Sequence, residues 1–220
     1  MNWTPGRLRI RNAIVALAPW AFNAALRARF VVRTLSDWYR KGWELPLPNL
    51  LKHPILIRYA RAHDLSALVE TGTYMGDTPW ALRNILGEIH TIELSPTLCE
   101  IAKERFKSWP NIRVHEGDST QVLPQLLEKL NQPTLFWLDG HYSGGFTAHG
   151  DVSTPICDEL RIIAEQCPVR FVILVDDARL FGSEHGYPTL DQFRERISTW
   201  LPGAAVSVEN DIIAIVPAGK

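Results

Sequence analysis

Short apolar runs alternate with helical patterns five times between residues 66 and 200, which leaves this chain few folds to choose from. The runs Ser66–Thr71, Ile89–Glu93, Ile112–Glu116, Thr134–Leu138 and Phe171–Val175 have the length and apolar content of buried strands. The segments Asp77–Leu86, Pro96–Ser108, Gln121–Leu130, Pro155–Gln166 and Thr189–Trp200 read as helices; in the second, Leu98, Ile101, Ala102 and Phe106 share one face. Asp77 or Thr78 is the expected cap of the first of these helices, with Pro79 near its first turn. The chain closes on Ala204–Val208 and Ile212–Val216, joined by Glu209-Asn210-Asp211, a hairpin spacing that makes the last strand antiparallel. Strand–helix units followed by a hairpin predict an α/β fold with a doubly wound, mostly parallel sheet of seven strands.

The first fifty residues lie outside this pattern. Residues 1–41 hold seven Arg and one Lys against Asp37, a balance of +7, so the net charge of −1 leaves −8 for the remainder. That asymmetry excludes a uniformly basic protein coating nucleic acid. Asn12–Leu26 is uncharged, but at fifteen residues broken by Pro19 and Asn23 it is too short to span a bilayer as a helix. Arginines, a short apolar run and Asn23-Ala24-Ala25 are also the ingredients of a signal peptide. Two other readings are a basic segment lying on an anionic membrane surface, and apolar helices covering the domain or a second copy in a homodimer. The covering role is preferred. Pro46, Pro48 and Pro54 mark Leu45–Ile55 as a hinge, which divides the chain into a helical arm, 1–54, and a domain, 55–220. Cys99, Cys157 and Cys167, odd in number and in no metal-binding spacing, suggest buried thiols in a reducing, cytoplasmic setting.

In doubly wound sheets ligands bind at the carboxyl ends of the strands, so the residues there carry the functional reading. Each of the five strands delivers an acid to that rim: Glu70, Glu93, Asp118, Asp139 and the pair Asp176-Asp177. The stretch LVETGTYMGDT, Leu68 to Thr78, adds glycines for close approach and backbone amides at a helix start. Glu93 is placed to accept two ribose hydroxyls, for which a carboxylate is the best bidentate acceptor. A dinucleotide fingerprint read from Gly72 would need glycine where Tyr74 and Asp77 stand. Tyr74 would obstruct a pyrophosphate and Asp77 would repel it, whereas a cationic sulfonium tolerates acidic surroundings.

These residues resemble the class I S-adenosylmethionine-dependent methyltransferases, in particular the small O-methyltransferase branch of the catechol, caffeoyl-coenzyme A and macrocin enzymes. The resemblance rests on Glu70, Gly72, Tyr74 and Gly76 at alternate positions, on TIELSPTLCEIAKERF and on EGDSTQVLPQL, in that order, and covers about Leu65 to Val216. It implies a Rossmann-like methyltransferase fold and S-adenosylmethionine as cofactor. Gly72, Thr73, Tyr74, Gly76 and Thr78 would lie against its methionine part, with Glu70 ordering that loop or meeting the ammonium. Glu93 would take the ribose, Asp118 and Ser119 the adenine edge, and Asp139 would also border the cofactor. The implied reaction is O-methylation of a small molecule bearing a hydroxyl, a sugar or glycan-related acceptor among the candidates.

The same resemblance implies that Asp139, Asp176 and Asp177 hold Mg²⁺, an ion suited to oxygen ligands that would lower the pKa of a substrate hydroxyl. One of the paired aspartates could instead cap the segment that follows. His141 is the candidate general base and Asp139 its catalytic neighbour, in a glycine-rich loop, Gly140–Gly150, suited to gating. Tyr142, His149 and Asp151 are further candidates for lining the site, and Arg179 for meeting an anionic substrate or a rim carboxylate. His185 and Tyr187, on the next loop, are not counted among the site residues. Two other readings stay open: a methyltransferase-like scaffold without catalysis, tethered through its basic arm, and an NAD- or nucleotide-sugar-linked enzyme. The tryptophans are expected in the core, with no stacking platform for bases.

Overall fold

The structure, a computed structural model, describes residues 19–139, 155–183 and 187–218. It comprises two compact units, residues 1–50 and 51–220. The described part of the first is helix α1, Pro19–Arg40, and the turn after it. Trp38 donates its indole N–H to the Glu44 carbonyl at 2.7 Å. Trp43 meets Trp38 and Tyr39 edge-on, at ring separations of 4.7 and 5.3 Å. Among the described residues no helix is long and apolar enough to cross a membrane. A third of the arm, residues 1–18, lies outside the described residues.

Helix α2, Asn49–Ala62, begins at the end of the first unit and runs into the second, which then alternates: β1 Ala67–Thr71, α3 Asp77–Leu82, β2 Glu88–Glu93, α4 Pro96–Phe106, β3 Ile112–Glu116, α5 Ser119–Leu127, β4 Thr134–Leu138, α6 Pro155–Gln166, β5 Phe171–Val175, a 3₁₀ turn Ala178–Leu180, α7 Leu190–Trp200, β6 Ala205–Glu209 and β7 Ile212–Val216. The seven strands form one sheet in the order β3-β2-β1-β4-β5-β7-β6. β1 to β5 are parallel, while β7 runs antiparallel to both β5 and β6, as the closing hairpin predicts.

Burial on both faces explains why the central strands read as unbroken apolar runs. Along β4, Leu135 and Trp137 enter one core with Leu56 of α2, Leu82 of α3 and Phe106 of α4. Phe136 and Leu138 enter the other, with Leu127 of α5, Leu160 of α6 and Phe193 of α7. The three cysteines are free and buried.

Several expectations are corrected. The proposed hinge at Leu45–Ile55 is in large part helix: α2 takes in Pro54 and buries Lys52, Leu56 and Ala60 at four-residue spacing. Pro54 lies on its exposed side, so one lost backbone bond is outweighed by the packing of the other face. Neither Asp77 nor Thr78 caps α3. Gly76 holds that place in the left-handed conformation, φ 73°, without a side-chain cap, and the helix ends at Leu82 rather than Leu86. α5 begins at Ser119, two residues early, because Asp118 is its N-cap and accepts the Thr120 amide at 2.8 Å. The hairpin turn itself is only Asn210-Asp211, with φ of 52° and 66°, the two positive values of a type I′ turn.

Candidate functional site

Strand register assembles the rim. Thr71 at the end of β1 stands opposite Ile92 of β2 and Leu138 of β4, and Leu138 stands opposite Val175 of β5. One step further, Gly72, Glu93, Asp139 and Asp176 are therefore brought to a common edge. Strand order reverses between β1 and β4, so the loop leaving β1 lies at the topological switch point, where doubly wound sheets bind ligands.

That loop is fixed by backbone bonds and by shape. The amides of Gly72 and Thr73 donate to the Ile92 carbonyl at 3.0 and 3.2 Å, and the Gly76 amide to that of Thr73 at 2.7 Å. At Gly72, φ is 90° and a Cβ would lie 2.6 Å from the Asp139 carbonyl oxygen; at Gly76 it would lie 2.7 Å from the Phe106 ring. Tyr74 also has positive φ, 47°, and its side chain is 67% exposed. Asp77 forms an ion pair with Arg105 at 3.1 Å, so its charge at the loop is partly offset. Glu93, 7% exposed, closes the loop from β2: one carboxylate oxygen accepts the Tyr74 amide at 2.8 Å and the other the Ser95 amide at 2.9 Å. Each oxygen keeps further acceptor capacity, which is what a pair of vicinal hydroxyls requires.

Behind the rim two glutamates are buried with no ion pair among the described residues. Glu70 accepts from the Thr91 hydroxyl at 2.6 Å, and Thr91 lies 2.6 Å from that of Thr73. Burial pushes the Glu70 carboxyl up to about 8 against the opposing pull of Thr91 and Thr78. Through Thr91 these contacts reach Thr73 of the loop. Glu159 of α6 accepts from the hydroxyls of Ser119 and, at 3.4 Å, Thr71, and burial raises it to about 7. Both start from 4.5, so between 4.5 and about 7 to 8 the unfolded chain ionises while the folded one stays protonated. Stability therefore falls as pH rises through that window and levels off above it. From pH 6.5 to 8.5, Glu70 alone withdraws about 2 kcal/mol. Thermal denaturation is expected to show a lower melting temperature at pH 8.5, with Glu70→Gln reducing the drop; a pH-independent melting temperature would contradict these burials.

On the other side of β1 the three acids expected to hold a metal do converge. Oxygens of Asp139, Asp176 and Asp177 lie within 4.8 Å of one another. Sequence reasoning missed what lies among them: the Lys52 side chain, 6% exposed, hydrogen-bonds Asp176 and stands 3.9 Å from Asp177. Arg179 pairs with Asp177 at 2.5 Å and also with Asp211 of the β6–β7 turn, so it meets rim carboxylates as anticipated. Asp177, at φ 57°, is the N-cap residue of the 3₁₀ turn but makes no side-chain cap bond. As arranged, these residues do not fit a divalent ion, because the Lys52 ammonium already takes up one oxygen of Asp176 and the Asp177 amide the other, at 2.8 Å. Burial, and then Asp176, raise Asp139 to about 8. Tyr187 is nearer this cluster than expected: burial and the field of Asp177, Glu159 and Asp139 push its phenol up to about 12.

Asp118 is exposed and spends one carboxylate oxygen on the helix cap, and Ser119 donates inward to Glu159. His141, Tyr142, His149, Asp151 and His185, with the Gly140–Gly150 loop, lie outside the described residues. Lys52 and Glu159 were legible only as polar residues on apolar stripes, Lys52-Leu56-Ala60 and Ile156-Glu159-Leu160-Ile163. Asp211 carried no signal beyond its turn.

No family model and no curated protein matches the chain. Solved structures do. An O-methyltransferase from Bacillus cereus in complex with S-adenosylhomocysteine aligns over 94% of this chain and 97% of its own, at 16% identity and a TM-score of 0.58. A Podospora anserina methyltransferase bound to S-adenosylhomocysteine aligns over 84% and 87%, at 20% identity and 0.55. The O-methyltransferase TomG of Streptomyces achromogenes, in complex with S-adenosylmethionine, aligns over 84% and 89%, at 19% identity and 0.54. At such identities the likeness shows that this chain has the Rossmann-like methyltransferase fold.

Proposed function

We propose that this methyltransferase-fold chain binds S-adenosylmethionine at the β1–α3 loop and passes its methyl group to the oxygen of a small hydroxyl-bearing acceptor. The observation that carries the reading is Glu93, a carboxylate held by the Tyr74 and Ser95 amides with acceptor capacity to spare, beside a loop whose Gly72 admits no side chain. The acid-rich rim favours a cation and disfavours a pyrophosphate.

When bound, the cofactor supplies a methyl group activated by a sulfonium. The chain's own part is positioning: Glu93 fixes the ribose, Gly72–Gly76 brings backbone close to the methionine end, and Glu70 and Thr73 hold that loop from beneath. Asp139, directly beyond β4 and adjoining Gly72, faces the place where an acceptor would meet the methyl group. With its carboxyl at about 8, it can accept the hydroxyl proton at mildly alkaline pH or hydrogen-bond the attacking oxygen. His141 is the second candidate base. The oxygen acceptor is favoured by the motif resemblance, and its identity as a sugar or another small molecule rests on that alone.

Isothermal titration with S-adenosylhomocysteine and with NAD⁺ separates the readings. Saturable S-adenosylhomocysteine binding without NAD⁺ binding is expected; the reverse result would sink the proposal in favour of an NAD-linked enzyme. Methyl transfer to a panel of hydroxylated acceptors, lowered at least about tenfold in Asp139→Ala, separates an enzyme from a scaffold.

A further inference from the structure

The cluster at the ends of β4 and β5 gathers four carboxylates, Asp139, Asp176, Asp177 and Asp211, around two cations, Lys52 and Arg179. Both cations are committed: Arg179 bridges Asp177 and Asp211, and Lys52 bonds Asp176 with Asp177 at 3.9 Å. Lys52 reaches there from α2, where it shares the packed face with Leu56 and Ala60. Its aliphatic stem is covered along with them, and only its ammonium meets polar groups. A lysine so deeply covered is retained only where carboxylates compensate its lost hydration. A compact ammonium with three donors, unlike a planar guanidinium, suits the same spot between carboxylate oxygens as a small metal ion. A divalent ion bound by these acids would be pressed against that ammonium, in a buried place where like charges are poorly screened.

We propose that Lys52 is the resident cation of this carboxylate cluster, standing where a divalent ion would otherwise bind, so that the site neither needs nor admits one. Lys52 is then a positioning residue, holding Asp176 and Asp177 and leaving Asp139 as the one acid of the three without an ion pair among the described residues. Its consequence for catalysis, chelator-insensitive methyl transfer, rests on the function proposed above, whereas its consequence for metal binding does not.

Mn²⁺ titration followed by electron paramagnetic resonance tests it on the full chain, with S-adenosylhomocysteine binding measured in parallel. The wild type is expected to show no saturable Mn²⁺ site up to about 1 mM. Lys52→Met is expected to gain one, at least about tenfold tighter, that is lost again on adding Asp176→Asn. Lys52→Gln, which keeps a polar head, gives the same comparison if the methionine variant fails to fold. A wild-type site tighter than about 100 μM and abolished by Asp176→Asn overturns the proposal. So does a folded Lys52 variant that binds Mn²⁺ no better than wild type. Absence of S-adenosylhomocysteine binding would instead remove the methyltransferase reading and leave the Mn²⁺ result standing.

Discussion

Replacing Glu93 by alanine lowers affinity for S-adenosylhomocysteine by about two to three orders of magnitude, read by isothermal titration, with the far-ultraviolet circular dichroism unchanged. Two losses combine. The ribose loses its bidentate acceptor, and hydrogen bonds to a charged group are each worth about 1.5 to 3 kcal/mol, against about 1.4 for each factor of ten. The Tyr74 and Ser95 amides lose the carboxylate that ties the loop to β2. Glu93→Gln is not a mild control here. Both oxygens accept backbone N–H groups, so a carboxamide must turn its NH₂ against one of the two donors. It is expected to behave nearly as badly as alanine. An affinity within about threefold of wild type in Glu93→Ala would remove Glu93 from the binding site.

Gly72→Ala carries the second large effect, on stability. The added Cβ would lie 2.6 Å from the Asp139 carbonyl oxygen, a backbone atom at the end of the neighbouring strand, and φ is 90°. No side chain can swing away to relieve the contact, so β1 and β4 must part where their ends form the site. Left-handed strain alone costs about 1 to 2 kcal/mol, and the clash brings the expected loss to about 3 or more. That corresponds to a fall in melting temperature of about 10 °C. Gly42→Ala is the internal control: φ is 76° there, but a Cβ meets nothing within 4 Å. Differential scanning calorimetry should show the Gly72 variant far below the Gly42 variant. Equal losses in the two would mean that backbone strain alone, and not the approach to Asp139, requires glycine at 72.

Much of this was written into the chain locally. β3, β4, β5, α6 and β7 fall where the apolar runs and helical stripes place them; for β4 and β5 the reason is burial on both faces, which demands apolar residues up to the first acid, Asp139 or Asp176. For the same reason the rim acids were legible: parallel register does the rest, carrying Glu93, Asp139 and Asp176 to one edge with Gly72. The role of Lys52 was not legible. Three nearby prolines spoke for a hinge, and a lysine in a helix ordinarily faces water; only the partner 124 residues away makes its burial tolerable. Glu159 was hidden likewise, since its companions Ser119 and Thr71 come from other strand–helix units. The cap of α3 failed for a different reason: Gly76 in the left-handed region ends the loop, and Asp77 turns to Arg105.

The turn that joins the last two strands also fixes the segment that follows β5. Asp211 supplies its carboxylate to Arg179, and both its own carbonyl and side chain receive the amides of Ala178 and Arg179. Three of the contacts that shape the segment following β5 are therefore supplied by the chain's last hairpin. The hairpin reaches that segment through the pairing of β7 with β5, so loss of that pairing would remove all three contacts.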